Sequence, residues 1–144
     1  MSLADERELL VLVLDVLVPE GDGFPGAGAV AIDHVLAVAA RSADNESLVV
    51  RGLRAIEQAA GGAVFASLDV DAREAALRRV EQSHAEFVDA LVTRTYEGYY
   101  SHPSVIARLG LDARPPHPRG HAVETVELPE LARVTARGPL FRPA

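Results

Sequence analysis

Histidine is the residue type in this chain that comes nearest to a metal-binding arrangement. His117 and His121 are four positions apart, and His102 lies upstream of them. On a helix this spacing would place two imidazoles on one face, but the intervening Pro-Arg-Gly does not favour a helix. A complete site would also need a third ligand such as Asp112, Glu124 or His102. We therefore expect no native metal site. A free-standing metal-binding protein or enzyme that uses the three histidines is the alternative interpretation.

Other patterns that carry catalysis are missing from the sequence. The chain has no cysteine, which excludes disulfides, thiolate zinc sites and iron–sulfur ligation. No G-x-S-x-G motif occurs, and the carboxylates are spread along the chain instead of forming a pair. The Gly-rich stretch 19–28 does not match a phosphate loop, because no Lys follows it and Glu20 and Asp22 would repel phosphate. We expect a structural turn there, and no catalytic or cofactor-binding residue in this chain.

The tyrosines are the second group of residues whose side chains could take part in binding or chemistry. All three, Tyr96, Tyr99 and Tyr100, lie near the end of the segment 87–100 and shortly before Pro103. Apolar residues recur in this segment at helical spacing, and the stripe runs on to Tyr96 and Tyr99. Pro103 prevents the helix from continuing and moves His102 out of the α region. Because a tyrosine joins an apolar ring to a polar hydroxyl, the cluster suits a docking surface, and it suits equally the closed end of a helical core.

Helices must position these residues, and the apolar periodicity predicts six of them. The segment 9–18 is apolar nearly all round, which indicates a central helix or one whose second face meets a partner chain. Helices are further expected at about 27–40, from a cap at Asp44 or Asn45 to about Ala60, from a cap at Ser67 or Asp69 onward, at 87–100, and after Pro103. Gly61 and Gly62 are expected to end the third helix.

The sequence after residue 110 changes character. Residues 111–144 are Pro-rich and have no long helical period, so they are expected to form an extended tail that packs on the domain or on a partner. Phe141, close to the end, is the expected anchor of this tail. The predicted fold is therefore all-α, with a compact bundle of about five to six helices in residues 1–110 and a mostly irregular C-terminal tail.

Composition narrows the classes of partner. A formal net charge of −7 without clustered Lys and Arg argues against nucleic acid. The apolar run 9–18 is too short to span a membrane, and without a signal sequence a cytoplasmic location is the expectation. Almost half of the 144 residues are apolar, more than a small bundle is expected to bury. We expect the excess to lie against another polypeptide, so that the isolated chain self-associates. A homo-oligomeric structural protein is a further interpretation.

Several stretches, taken in order, resemble one family. LLVLVLDVLVPEGDGFPGAGAVAIDHVL, FASLDVDAREAALRRVE and FVDALVTRTYEGYYSHPSVIARLG are similar to successive parts of the gluconate 2-dehydrogenase subunit 3 family. The third of these stretches resembles the family's T-x-x-G-Y-Y-x-x-P ending. HPRGH and VTARGPLFR look like the Pro-rich close of some members. The resemblance rests on the collinear order of these stretches over most of the chain.

This resemblance implies a function. Members are small helical accessory subunits of dehydrogenases whose large subunit is an FAD-dependent oxidoreductase of the glucose-methanol-choline (GMC) type. The resemblance therefore implies a non-catalytic chain without its own cofactor, which stabilises the flavoprotein or assists its maturation. Many members carry a twin-arginine export signal that is not present here, and periplasmic export with the partner stays open. The expected partner-binding residues, including the anchor of the tail, are Pro19, Phe24, Pro25, Tyr96, Gly98, Tyr99, Tyr100, Pro103 and Phe141.

Overall fold

The computed structural model describes residues 6–111 and 136–137 of the chain. Its helices are α1 (Arg7–Leu17), α2 (Ala27–Val30), α3 (Ile32–Ala39), α4 (Ala43–Ala59), α5 (Val70–Ser83), α6 (Ala85–Ser101) and α7 (Pro103–Arg108), with a 3₁₀ turn at Phe65–Ser67. The described residues form no strand, and their one β-bridge joins Gly21 to Phe24. The predicted all-α fold is confirmed. No helix in this part of the chain combines the length and the apolar character that crossing a bilayer requires.

Local side chains explain where α4 and α5 begin, and two glycines explain where α4 ends. Asp69 caps α5, as expected, by accepting a hydrogen bond from the Ala72 amide at 2.8 Å. The cap of α4 is Ser42 and not Asp44 or Asn45, because the Ser42 hydroxyl accepts from the Asn45 amide and its own backbone is still extended. Gly61 and Gly62 follow α4 with φ of +69° and +88°, a conformation that strongly favours glycine.

The second predicted helix is divided, which gives one helix more than expected. The division falls at Ala31, whose φ of −101° and ψ of −15° depart from helical values. Different neighbours hold the two pieces. In α2 the Gly28 amide donates to the Asp15 carboxylate of α1 at 2.7 Å, whereas α3 packs along α6. Because these contacts are tertiary, the spacing of apolar residues along the sequence does not reveal the break at Ala31.

Helix α6 is the centre of the bundle, because it packs against each of the other six helices. The helix α1, which the sequence suggested as central or partner-facing, buries Leu10, Val13 and Leu14 and leaves its remaining apolar residues only half-buried. The core of the described residues includes Leu53, Ile56, Phe65, Phe87, Leu91 and Val105, together with the α1 residues. A single apolar core thus covers one side of α1 and one side of α6.

Gly52 allows α4 to lie against the start of α6. The ring of Phe87 is 1 % exposed and covers the Cα of Gly52 so closely that a methyl group there would overlap the ring. Gly52 therefore permits the close approach of these two helices. The packing of the Phe87 ring against Gly52 offsets the unfavourable helix propensity of glycine at this position.

We predict that Gly52→Ala destabilises the protein by about 1–3 kcal/mol, because overlap with the buried ring outweighs the gain of about 1 kcal/mol in helix propensity. Phe87→Leu in the same chain should recover part of this loss, since it vacates the overlapping volume. Urea unfolding of the two single variants and of the double variant measures the coupling. Arg54→Ala, at an exposed position of the same helix, is the control and should change stability little. A Gly52→Ala variant as stable as Arg54→Ala would contradict this packing.

A candidate docking surface at the end of α6

The Gly-rich stretch between α1 and α2 forms a tight turn. Gly21 and Phe24 exchange two backbone hydrogen bonds, of 3.2 and 2.8 Å. The two residues between them, Asp22 and Gly23, have φ of +51° and +77°. Positive φ at both central positions is the geometry of a type I′ turn, which Asp-Gly favours. The expected structural turn is therefore present, and it places Phe24 and Pro25 at the edge of the bundle.

Tyr99 joins the end of α6 to this turn. Its ring is only 4 % exposed, and its hydroxyl donates a hydrogen bond to the Pro25 carbonyl at 2.9 Å. Gly98, the residue before it, is also buried. A methyl group on Gly98 would stand 2.9 Å from the His34 Cβ and 3.2 Å from the Ala31 Cα. These two expected partner-binding residues therefore make contacts inside the described domain.

Helix α7 supports the same turn from a second direction. The guanidinium of Arg108 lies 6.0 Å from the centre of the Phe24 ring, within the range of a cation–π interaction, and it also covers Gly23. Pro103 is the first residue of α7, where its missing N–H costs nothing. His102 precedes it with extended backbone, as predicted, and its Nδ1 accepts a hydrogen bond from the Ser104 amide at 3.4 Å. The imidazole of His102 thus caps a helix.

The two remaining tyrosines face outward. Tyr96 is 47 % exposed and Tyr100 is 57 % exposed, and their ring centres are 6.0 Å apart. Tyr100 also meets the buried ring of Tyr99 edge to face, with centres 5.3 Å apart. The spacing of apolar residues predicted that Tyr96 would face the core together with Tyr99. The observed exposure of Tyr96 instead places it at the border of the apolar stripe. We call the pair Tyr96 and Tyr100 the tyrosine surface.

Charged side chains fix α6 next to the tyrosine surface. Arg94 donates to both carboxylate oxygens of Glu97 at 2.9 Å, and the His34 imidazole of α3 lies 3.4 Å from the same carboxylate. The hydrogen bond from Arg94, and then that from His34, lowers the pKa of Glu97 below its ordinary value. This exposed network joins α3 to α6 one turn before Tyr100, and it orients the helix without contributing much stability.

The other expected site residues lie apart from this cluster or outside the described part of the chain. Pro19 is exposed at the end of α1, on the rim of a cleft. Phe141, His117 and His121 fall outside the described residues. Within residues 6–111 and 136–137 no group of three or more His, Cys, Asp or Glu side chains is arranged to hold a metal ion.

Two residues that organise the site were not singled out from the sequence. Asp15, the single charge in the apolar run of α1, accepts from the Gly28 amide and so orients α2. Arg108 covers the turn. A carboxylate inside an apolar helix was a usable signal, because such a group needs a partner when it is partly buried. The sequence carried no comparable signal for Arg108, since a basic residue in the last turn of a helix is common.

The described chain is therefore an all-α domain that exposes two tyrosines on a helix joined to its neighbours by the Tyr99–Pro25 hydrogen bond and by the contact of His34 with Glu97. A family model described as Gluconate 2-dehydrogenase subunit 3 matches residues 4–112, which is most of the chain. The chain belongs to the gluconate 2-dehydrogenase subunit 3 family, as the collinear resemblance predicted. The family takes its name from a subunit of a dehydrogenase complex. Comparison with curated proteins and with solved structures gave no significant match.

We predict that Tyr99→Phe lowers the free energy of unfolding by about 1 kcal/mol at neutral pH, because the Pro25 carbonyl loses its donor. Burial, with a smaller effect from Tyr100, raises the pKa of the Tyr99 phenol. The folded state therefore disfavours the phenolate, and this contribution to stability is complete below the ordinary phenol pKa of about 10 and is lost as the pH rises through the higher folded value.

Urea unfolding between about pH 8 and 11, together with tyrosinate absorbance of the folded protein, measures both effects. Tyr99→Phe should remove a phenol ionisation that lies above the ordinary pKa of tyrosine. Tyr100→Phe is the matched control, because its ring is exposed. Loss of the raised ionisation in Tyr100→Phe, with its retention in Tyr99→Phe, would contradict the assignment of Tyr99 as the buried phenol.

Proposed function

We propose that this chain is the non-catalytic small subunit of a dehydrogenase, and that it binds and stabilises, or helps to mature, an FAD-dependent large subunit of the GMC type. The observation that carries this proposal is the family match over residues 4–112, which includes all seven helices and the turn between α1 and α2. The flavin and the reacting groups belong to the large subunit. The substrate class, a sugar, sugar acid or other alcohol, follows the partner in the same way.

The tyrosine surface is the part of the described domain that fits contact with such a partner. Tyrosine is among the residues most enriched at the energetic centres of interfaces, where its ring is buried and its hydroxyl finds a donor or acceptor. Tyr96 and Tyr100 are about half exposed, yet the helix beneath them is held by the hydrogen bond of Tyr99 to Pro25 and by the contact of His34 in α3 with Glu97. An anchor on a rigid support loses little conformational entropy on binding.

The division of roles among the expected residues supports this account. Gly98, Tyr99, Phe24 and Pro25 build the support, because they are buried or bound inside the domain. Tyr96 and Tyr100 supply contact area. A substitution of the first group would disturb the fold and the complex together, so only the second group can test binding by itself.

The first experiment asks whether the complex exists. The chain is co-expressed with the protein of the adjacent open reading frame, recovered by an affinity tag on the small chain, and scanned for flavin absorption. A yellow stoichiometric complex is expected, together with self-association of the small chain when it is produced alone. A small chain that stays a colourless, stable monomer in the presence of the flavoprotein would overturn the proposal.

We predict that Tyr100→Ser weakens this complex by about 2 kcal/mol, or roughly 30-fold in Kd, and that adding Tyr96→Ser weakens it further. Removal of a buried ring at an interface loses its apolar area and its fit. Titration calorimetry of the purified subunits gives the affinities, and thermal unfolding of each free variant checks that the fold is intact. Val64→Ser is the matched control, because Val64 is 71 % exposed and belongs to the loop before the 3₁₀ turn Phe65–Ser67, outside α6. Equal affinities for the wild type and the double variant would exclude the tyrosine surface from the interface.

A further inference from the structure

A second apolar surface lies between α1 and α5. A cleft of about 500 Å³ opens beside the half-buried Leu12 and Val16 of α1, with Pro19 and Glu20 at one end. Val70, the first residue of α5, stands on its rim with 71 % of its surface exposed. Val70 thus adds exposed apolar surface to a cleft that is lined by both apolar and charged residues.

A smaller cleft of about 200 Å³ adjoins the first. Val16 and Glu74 line both clefts, and the floor of the second is formed by apolar residues that include Val88 and Val92 of α6. We call the two clefts together the α1–α5 groove. The groove is lined by the face of α1 that the apolar core leaves half-buried. A binding role for this face would explain why α1 carries apolar residues nearly all round, although only one side of it packs in the core.

The groove leads towards the tyrosine surface. Val88, Val92, Tyr96 and Tyr100 occupy every fourth position of α6. Residues spaced in this way form one ridge on a helix surface. The ridge is buried at Val88 and half-buried at Val92, both of which line the groove, and it becomes exposed at Tyr96 and Tyr100. The two surfaces are therefore consecutive parts of one ridge on the same domain.

More acidic than basic residues line the groove. Its acidic residues are Asp15, Glu20, Glu74 and Glu81, and its basic residues are Arg73 and Arg78. Arg78 pairs with Glu74, whereas Arg73, which donates to the carbonyls of Phe65 and Ala66, keeps its positive charge; four acidic and two basic residues give the lining a formal charge of −2. Glu20 and Glu81 are exposed, and they form no ion pair with the described residues. The rim thus offers negative charge at both ends of an apolar floor.

We propose that the α1–α5 groove binds an amphipathic segment of the large subunit that carries Lys or Arg on either side of an apolar face. This inference rests on the proposed function for the identity of the partner. The apolar floor recognises the apolar face of such a segment, and Glu20 and Glu81 recognise its basic residues. A second copy of this chain does not fit, because a two-fold contact through the groove would bring the same glutamates together.

Site-specific crosslinking tests the groove within the complete complex. The chain has no cysteine, so a photoreactive maleimide can be attached at one introduced position at a time. Val70→Cys reports on the groove, Tyr100→Cys on the tyrosine surface, and Val64→Cys, as exposed as Val70, serves as the control. We expect crosslinks to the large subunit from the first two positions only, and a Lys- or Arg-bearing segment as the product at Val70.

The outcomes separate the two proposals. Crosslinking from Tyr100→Cys without any from Val70→Cys would overturn the groove and leave the proposed function intact. An acidic segment captured at Val70 would overturn the charge argument. Failure to form any complex would count against the proposed function, and the groove would then be decided by the free chain alone, as follows.

The free chain is titrated with an amphipathic peptide of leucine and lysine, and with its leucine–glutamate counterpart of the same pattern. The lysine peptide should bind, and Glu20→Lys with Glu81→Lys should weaken it about 10-fold at low salt, with less effect as salt screens the charges. Glu46→Lys with Glu57→Lys, at exposed positions of α4, is the matched control. Equal weakening by both pairs, or preference for the glutamate peptide, would overturn the inference.

Discussion

The close approach of α6 to the helix break at Ala31 is the contact on which the rest of the described structure depends. Gly98 permits it, since a side chain there would stand 3.2 Å from the Ala31 Cα. Because the two backbones lie so close, the next residue, Tyr99, reaches across to the Pro25 carbonyl. A larger residue at position 98 would move α6 outward and separate that hydroxyl from its acceptor. The contact also fixes the rotation of α6 about its own axis, and with it the direction of every side chain at this end of the helix.

That rotation explains why three tyrosines within five positions have different roles. A helix turns by about 100° per residue, so Tyr100 points well away from Tyr99, whereas Tyr96 and Tyr100 differ by only about 40°. With Gly98 and Tyr99 directed into the domain, Tyr96 and Tyr100 must both reach its surface. The edge-to-face contact of Tyr100 on Tyr99 then connects the exposed pair to the buried phenol. The same helix therefore closes the core with Tyr99 and leaves the rings of Tyr96 and Tyr100 exposed, so the proposed docking role concerns residues other than the one that closes the core.

Much of this fold could be predicted from local patterns, whereas the site depends on contacts between distant residues. The period of apolar residues, the cap at Asp69 and the glycines after α4 act over one or two turns, and they located the helices. The break at Ala31 could not be foreseen, because it depends on Asp15 holding Gly28 and on α6 packing against α3. Nor could the separation of Tyr99 from Tyr96, since periodicity places both near the apolar stripe and only the neighbouring Pro25 decides which one is buried. A pattern along one helix does not specify its rotation to within one residue.

In the proposed complex, the acidic residues and the apolar surface of this chain would have separate roles. Aromatic rings on a rigid helix provide affinity, but they would also accept many apolar surfaces, including a second copy of the same chain. Acidic residues beside an apolar groove add selection, because they penalise every acidic surface brought against them. With a formal net charge of −7, the chain itself is such a surface. Its apolar face is therefore better matched to a basic segment of another protein than to its own copy, so self-association of the lone chain should give way to assembly when the other subunit is present.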